Sequence, residues 1–114
     1  MDVEPIEAAT RRCYRAYETN DRQLLEDLLA DDFEFTSPHD SQIDRATYFE
    51  RCWPNSEHIA RIEIEKLFVQ GNEAFVRYEI TKDTGQHWRN AELLRFENGR
   101  LAEVQVYYGS LPAA

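Results

Sequence analysis

Between Cys52 and Ile59 the spacing of apolar residues changes from three-and-four to every second residue, and this switch restricts the fold more than any other feature of the chain. Before it, Ile6, Ala9, Cys13, Ala16 and Tyr17 share one side of a helix read from Pro5 to Asn20, since proline is tolerated in a first turn. Asn20 or Asp21 can cap a short second helix whose stripe is Leu24, Leu25, Leu28 and Leu29, ending before Asp31-Asp32. Phe33 to Ser37 reads as a strand stopped by Pro38, which has no N–H to donate. His39, Asp40 and Ser41 read as a loop. Asp44 reads as the cap of a third helix, Ala46 to Cys52, that Pro54 prevents from continuing.

After the switch, Ile62 and Ile64 alternate within a strand from Ile59 to Gln70, and the break at Leu67, Phe68 and Val69 predicts a bulge there. Gly71-Asn72 turns the chain into Ala74 to Lys82, where Val76, Tyr78 and Ile80 share a face. Asp83-Thr84-Gly85 and Asn98-Gly99 then bound a strand from Gln86 to Glu97 and a last one from Arg100 to Tyr108. On the first of these, Trp88, Asn90, Glu92, Leu94 and Phe96 look one way, while His87, Arg89, Ala91, Leu93 and Arg95 look the other. The pattern specifies an α+β fold, with three helices before or beside a twisted antiparallel sheet.

A chain of 114 residues, 42% hydrophobic, supports one core, so a single domain over residues 1–114 is expected. Thirteen Lys and Arg against 22 Asp and Glu give a formal charge of −9, a field that repels nucleic-acid phosphates and anionic membrane surfaces. The stretch from Met1 to Thr10 lacks the basic start and apolar run of a signal peptide, and no stretch is long enough to span a membrane. Cys13 and Cys52 have no metal-ligand spacing and suit reduced thiols in a cytoplasmic protein. His39-Asp40 has no accompanying His-x-x-x-His or Cys-x-x-Cys, and no glycine-rich phosphate loop occurs, so neither metal nor cofactor is expected.

Leu28-Leu29-Ala30-Asp31-Asp32-Phe33 leading to Ser37-Pro38, Cys52-Trp53-Pro54, and Glu92-Leu93-Leu94-Arg95-Phe96 leading through Asn98-Gly99 to Val104-Gln105-Val106-Tyr107-Tyr108-Gly109 carry a resemblance. With the element order, they make the chain similar to the nuclear-transport-factor-like superfamily, in its small SnoaL-like branch related to ketosteroid isomerase. The resemblance implies a cone-shaped, barrel-like domain, with helices packed in a strongly curved, mixed but mostly antiparallel sheet. It further implies a pocket inside and a homodimer formed through the outer sheet face, to which Leu93 would contribute. Fold by itself does not fix function in such a superfamily.

Ketosteroid isomerase, a worked case of carboxyl tuning, uses an Asp base and an oxyanion site made of a Tyr and a protonated acid. The resemblance places Ser37 where that base stands, and a neutral hydroxyl is a poor acceptor of a carbon-bound proton. Cys13 falls at the tyrosine position, with Tyr14 one residue on and Tyr17 a turn further. Glu92 matches the oxyanion-side acid. Among Trp88, Phe96 and Tyr108, its charged form is expected to be disfavoured unless Arg77 or His58 lies close. His39 and Asp40, just past the strand end, are the candidate proton acceptors, histidine being the side chain that changes charge near neutral pH. Tyr14, Tyr17, Phe35, Ser37, Tyr48, Trp53, Trp88, Asn90 and Tyr108 are the candidate pocket lining, an aromatic body with a few polar handles.

Three functions fit these residues. One is a cofactor-independent acid–base enzyme, of isomerase, cyclase or dehydratase type, acting on a small apolar organic molecule. The second is a non-catalytic binding module for an apolar metabolite, oriented by Glu92 or Asn90. The third is a dimerisation or interaction domain whose cavity is filled by its own aromatics.

Overall fold

The structure, a computed structural model, describes residues 4–109. The signal-peptide reading of residues 1–3 and the ends of the 1–114 domain expectation lie outside the described residues. The elements are α1 (Ile6–Thr19), α2 (Arg22–Leu28), β1 (Leu29–Ser37), β2 (Asp40–Asp44), α3 (Arg45–Arg51), a 3-10 turn (Trp53–His58), β3 (Ile59–Gln70), β4 (Glu73–Lys82), β5 (His87–Glu97) and β6 (Arg100–Tyr108). The six strands form one mixed sheet in the order β2-β1-β6-β5-β4-β3. All neighbours run antiparallel except β1 and β6, which are parallel.

Caps divide the helical half. Asn20 takes a left-handed conformation, φ 53°, and ends α1, while Asp21 accepts the Leu24 N–H at 3.2 Å and starts α2. Asp44 caps α3 through the Thr47 N–H at 2.9 Å, and hydrogen bonding from the Thr47 side chain, then its backbone, holds the Asp44 carboxyl below the usual range. Of the stripe read for α1, Ala9, Cys13 and Ala16 are buried and Ile6 and Tyr17 partly buried, while Tyr14, outside the stripe, is buried as well.

Four expectations are corrected. Leu29 does not close the second helix; it opens β1, four residues earlier than read, and pairs with Leu101 in the only parallel ladder among the described residues. The segment read as a loop after His39 contains strand β2, whose polar residues give no alternation but which pairs with β1 at the sheet edge. A 3-10 turn follows Cys52, with Pro54 in its first turn. Finally, the register of β3 shifts between Ile59 and Arg61 and between Ile64 and Lys66, while Leu67, Phe68 and Val69 pair regularly. The extra residue Glu65 turns Leu67 back to the face of Ile62 and Ile64, which explains the broken alternation.

α1 packs across β3 and β4, and Glu18 on its last turn accepts the Ile62 N–H at 2.9 Å. α3 packs on β1. The buried core lies between these helices and one face of the sheet, formed by Val76, Leu94, Leu101 and Phe33 among others. No helix of the described residues is long and apolar enough to cross a membrane.

Candidate functional site

The inner faces of β4 and β5 follow directly from period two. Val76, Tyr78 and Ile80 are buried on β4, and they stand opposite Glu92, Asn90 and Trp88 on β5. Helix α1 brings Cys13, Tyr14 and Tyr17 over this face, while β1 contributes Phe35 and Ser37. Together they enclose a cavity of about 420 Å³. The C-terminal ends of β1, β4 and β6 and the N-terminal ends of β3 and β5 meet at its mouth.

Glu92 is 8% exposed and sits on the inner wall. Tyr14 donates its hydroxyl to Oε1 at 2.9 Å, Tyr78 donates to Oε2, and the Asn90 amide donates to the Tyr78 hydroxyl at 3.2 Å. Burial pushes the Glu92 carboxyl above the ordinary range, and the two tyrosine bonds offset part of that rise. The same burial and the nearby carboxylate push the Tyr14 and Tyr78 hydroxyls up. The two cations considered as neutralisers are elsewhere: Arg77 pairs with Glu65 at 3.2 Å and His58 with Asp83 at 3.4 Å. Asn90 Oδ1 is buried and has no hydrogen-bond partner among the described residues.

At the mouth, the Ser37 hydroxyl donates to Asp40 Oδ2 at 3.2 Å and accepts the His39 N–H at 3.2 Å. Arg51 Nη2 lies 2.8 Å from Asp40 Oδ1 in an ion pair. His39 is exposed, its ring 5.7 Å from that of Tyr108, whose hydroxyl partial burial pushes up. Tyr48 closes the helix side, its ring 5.0 Å from Phe35 and its hydroxyl in close contact with that of Tyr17.

Of the expected site residues, Tyr14, Tyr17, Phe35, Ser37, His39, Asp40, Tyr48, Trp88, Asn90, Glu92 and Tyr108 all line the cavity. Trp53 does not. The 3-10 turn it begins tucks its ring behind the wall, 5.1 Å from Tyr17 and 6.5 Å from Phe49. Sequence reasoning missed Tyr78, Arg51 and Lys82. Counting from the Asp83-Thr84-Gly85 turn would have found Tyr78, because it and Asn90 are paired equidistantly about Thr84. Cys13 and Cys52 are free thiols in the wall, Cys13 raised by burial and Cys52 pushed up to about 11 by burial. Neither is primed as a nucleophile. The described residues contain no group of three His, Cys, Asp or Glu able to hold a metal ion.

Helices laid on one face of a mixed six-stranded sheet, with a buried carboxyl in the cavity between them, define a small α+β cavity protein. The chain belongs to the SnoaL-like family, whose domain model matches residues 10–104. Solved structures agree on the fold. An NTF2-like protein from Cytophaga hutchinsonii is 19% identical with a TM-score of 0.78, the match covering 95% of this chain and 94% of that one. IdmH, a candidate polyketide cyclase from Streptomyces antibioticus, is 16% identical with a TM-score of 0.76 over 93% of both chains. A candidate polyketide cyclase from Sinorhizobium meliloti is 17% identical with a TM-score of 0.73, covering 87% of this chain and 93% of that one. No curated protein matches the chain.

Proposed function

We propose that this protein is a cofactor-independent acid–base enzyme of the SnoaL type, acting on a small, largely apolar organic molecule with an enolisable carbonyl. The observation that carries the reading is the Glu92 carboxyl, buried in an aromatic cavity and clasped by the Tyr14 and Tyr78 hydroxyls. With Glu92 protonated, one of these bonds reverses, Glu92 becomes the donor, and that tyrosine hydrogen is released toward a substrate oxygen. Asp40 replaces the base missing at Ser37. Its carboxylate takes the proton next to the carbonyl, the electron pair of that C–H bond becomes the carbon–carbon double bond as the carbonyl π pair moves onto oxygen, and the tyrosine hydrogen bond stabilises the enolate. Returning the proton to another carbon gives isomerisation, while attack by the enolate carbon on a second carbonyl, with the abstracted proton passed to the new alkoxide, gives cyclisation. His39, at the solvent side, exchanges protons with water.

Similarity to two candidate polyketide cyclases supports this reaction class. The working state is a cytoplasmic homodimer with both thiols reduced, joined through the outer sheet face where Phe68, Phe75 and Leu93 stand abreast. A binding module is the second reading, favoured by the serine at position 37.

Deuterium exchange at the acidic C–H of 2-tetralone, followed by proton NMR, tests the proposal without knowledge of the natural substrate. Wild type accelerates exchange, while Glu92→Gln and Asp40→Asn each lose about 100-fold or more, the usual weight of one positioned acid or base. Exchange no faster than in buffer, or equal in all three proteins, rules the enzyme reading out and leaves the binding module.

A further inference from the structure

Besides its tyrosines and cysteines, the cavity wall carries five acidic or basic side chains whose balance is uneven from depth to mouth. Glu92 lies deep, held by the Tyr14 and Tyr78 hydroxyls, the second of which also accepts from the Asn90 amide, and no cation lies among these groups. Asp40 and Arg51 stand together at the mouth and offset each other. Exposed His39 stands beside them. Lys82 is different. It follows Val76, Tyr78 and Ile80 on the inner face at the end of β4, so it reaches the mouth beyond the Ile80–Trp88 pair. Its ammonium lies 5.9 Å from the centre of the Trp88 ring, and it makes no ion pair among the described residues. In a chain of formal charge −9, a half-buried cation left without an acid faces the cavity entrance.

We propose that the ligand is an amphipathic carboxylic acid, its carboxylate held at the mouth by Lys82 and its ring system inserted toward Glu92. The deep end offers hydroxyl donors but no cation to balance a permanent negative charge, whereas among the described lining residues Lys82, the cation without an ion pair, stands at the mouth beside the flat indole of Trp88. Tyr78 and Lys82, four residues apart on one strand face, set a depth of ~13 Å, enough for a fused-ring body between the two ends. The inference rests on the small-molecule reading of the cavity and names its substrate class.

A matched pair of fluorescent probes tests it: 6-hydroxy-2-naphthoic acid and its methyl ester, titrated into the full chain. The acid binds wild type about 5-fold or more tightly than the ester, the order of a partly exposed charge pair. Lys82→Gln removes that preference while leaving ester affinity within twofold. An ester that binds as well as the acid to wild type, or a preference that survives in Lys82→Gln, overturns the carboxylate assignment and leaves the cavity reading standing. Failure of both probes to bind removes both.

Discussion

At the scale of single residues, the chemistry is concentrated in one carboxyl whose environment opposes its charge. Glu92 has an ordinary value of 4.5, raised in the fold by burial despite two hydroxyl donors. Its folded form therefore holds a proton that the unfolded chain releases, so the unfolded state binds fewer protons between the ordinary and the raised values. Stability from this group is full below about 4.5 and is lost as pH rises through the folded value. Urea midpoints measured from pH 4 upward should fall across that window in wild type. Glu92→Gln, which cannot ionise, flattens this part of the profile, and the variant gains on wild type as pH rises. A profile unchanged by the substitution means that Glu92 does not hold its proton in the folded state. Glu92, Asn90 and Trp88 were readable because alternation alone assigns a strand residue to a face. Trp53 was misplaced because its direction depends on a 3-10 turn that periodicity does not encode.

At the scale of elements, the site depends on register more than on which strands form. Tyr78 reaches Glu92 and Asn90 only because β4 and β5 pair about Thr84, and the turn that fixes this pairing places Gly85 at φ 91°. Nothing lies within 4 Å of a Cβ built there, so any cost of substitution is backbone strain and not a clash. Gly85→Val should destabilise the fold by ~1–2 kcal/mol, with Gly85→Asn milder because asparagine tolerates positive φ. Urea denaturation of the two variants checks the order; equal midpoints for Val and wild type would mean that the turn has relaxed to another conformation. Strand existence was legible throughout the second half of the chain, where side chains alternate. β2 was not, since Asp40–Asp44 offers one apolar residue, Ile43, and owes its strand form to pairing with β1. The bulge was legible as a disturbance but not as a position, because Glu65, the residue that causes it, is polar and its consequence emerges only at Leu67.

At the scale of the whole molecule, the two faces of the sheet divide the work. The inner face is given to the cavity, while the outer face carries Phe68 at 65% exposure, Phe75 at 45% and Tyr107 at 52%. Phe68, Phe75 and Leu93 fall on one line across β3, β4 and β5, flanked by ion pairs of Glu65 with Arg77 and Arg89 and of Arg95 with Glu103. An apolar row within a lattice of paired charges suits burial against a second copy, since those charges are already satisfied within each chain. Two copies of formal charge −9 also repel each other at long range, a term that salt screens while leaving apolar contact intact. The proposed homodimer should therefore tighten between 20 and 300 mM NaCl, values on the order of those over which the Debye length shrinks from about 20 to 6 Å. Phe75→Asp, which puts an acid at the centre of the row, should yield monomers at every salt concentration with the fold unchanged by circular dichroism. Sedimentation equilibrium reads both effects. A monomeric wild type overturns the homodimer, a dimer indifferent to Phe75→Asp moves the interface off this face, and a dimer that weakens with salt makes charge and not the apolar row its driving force.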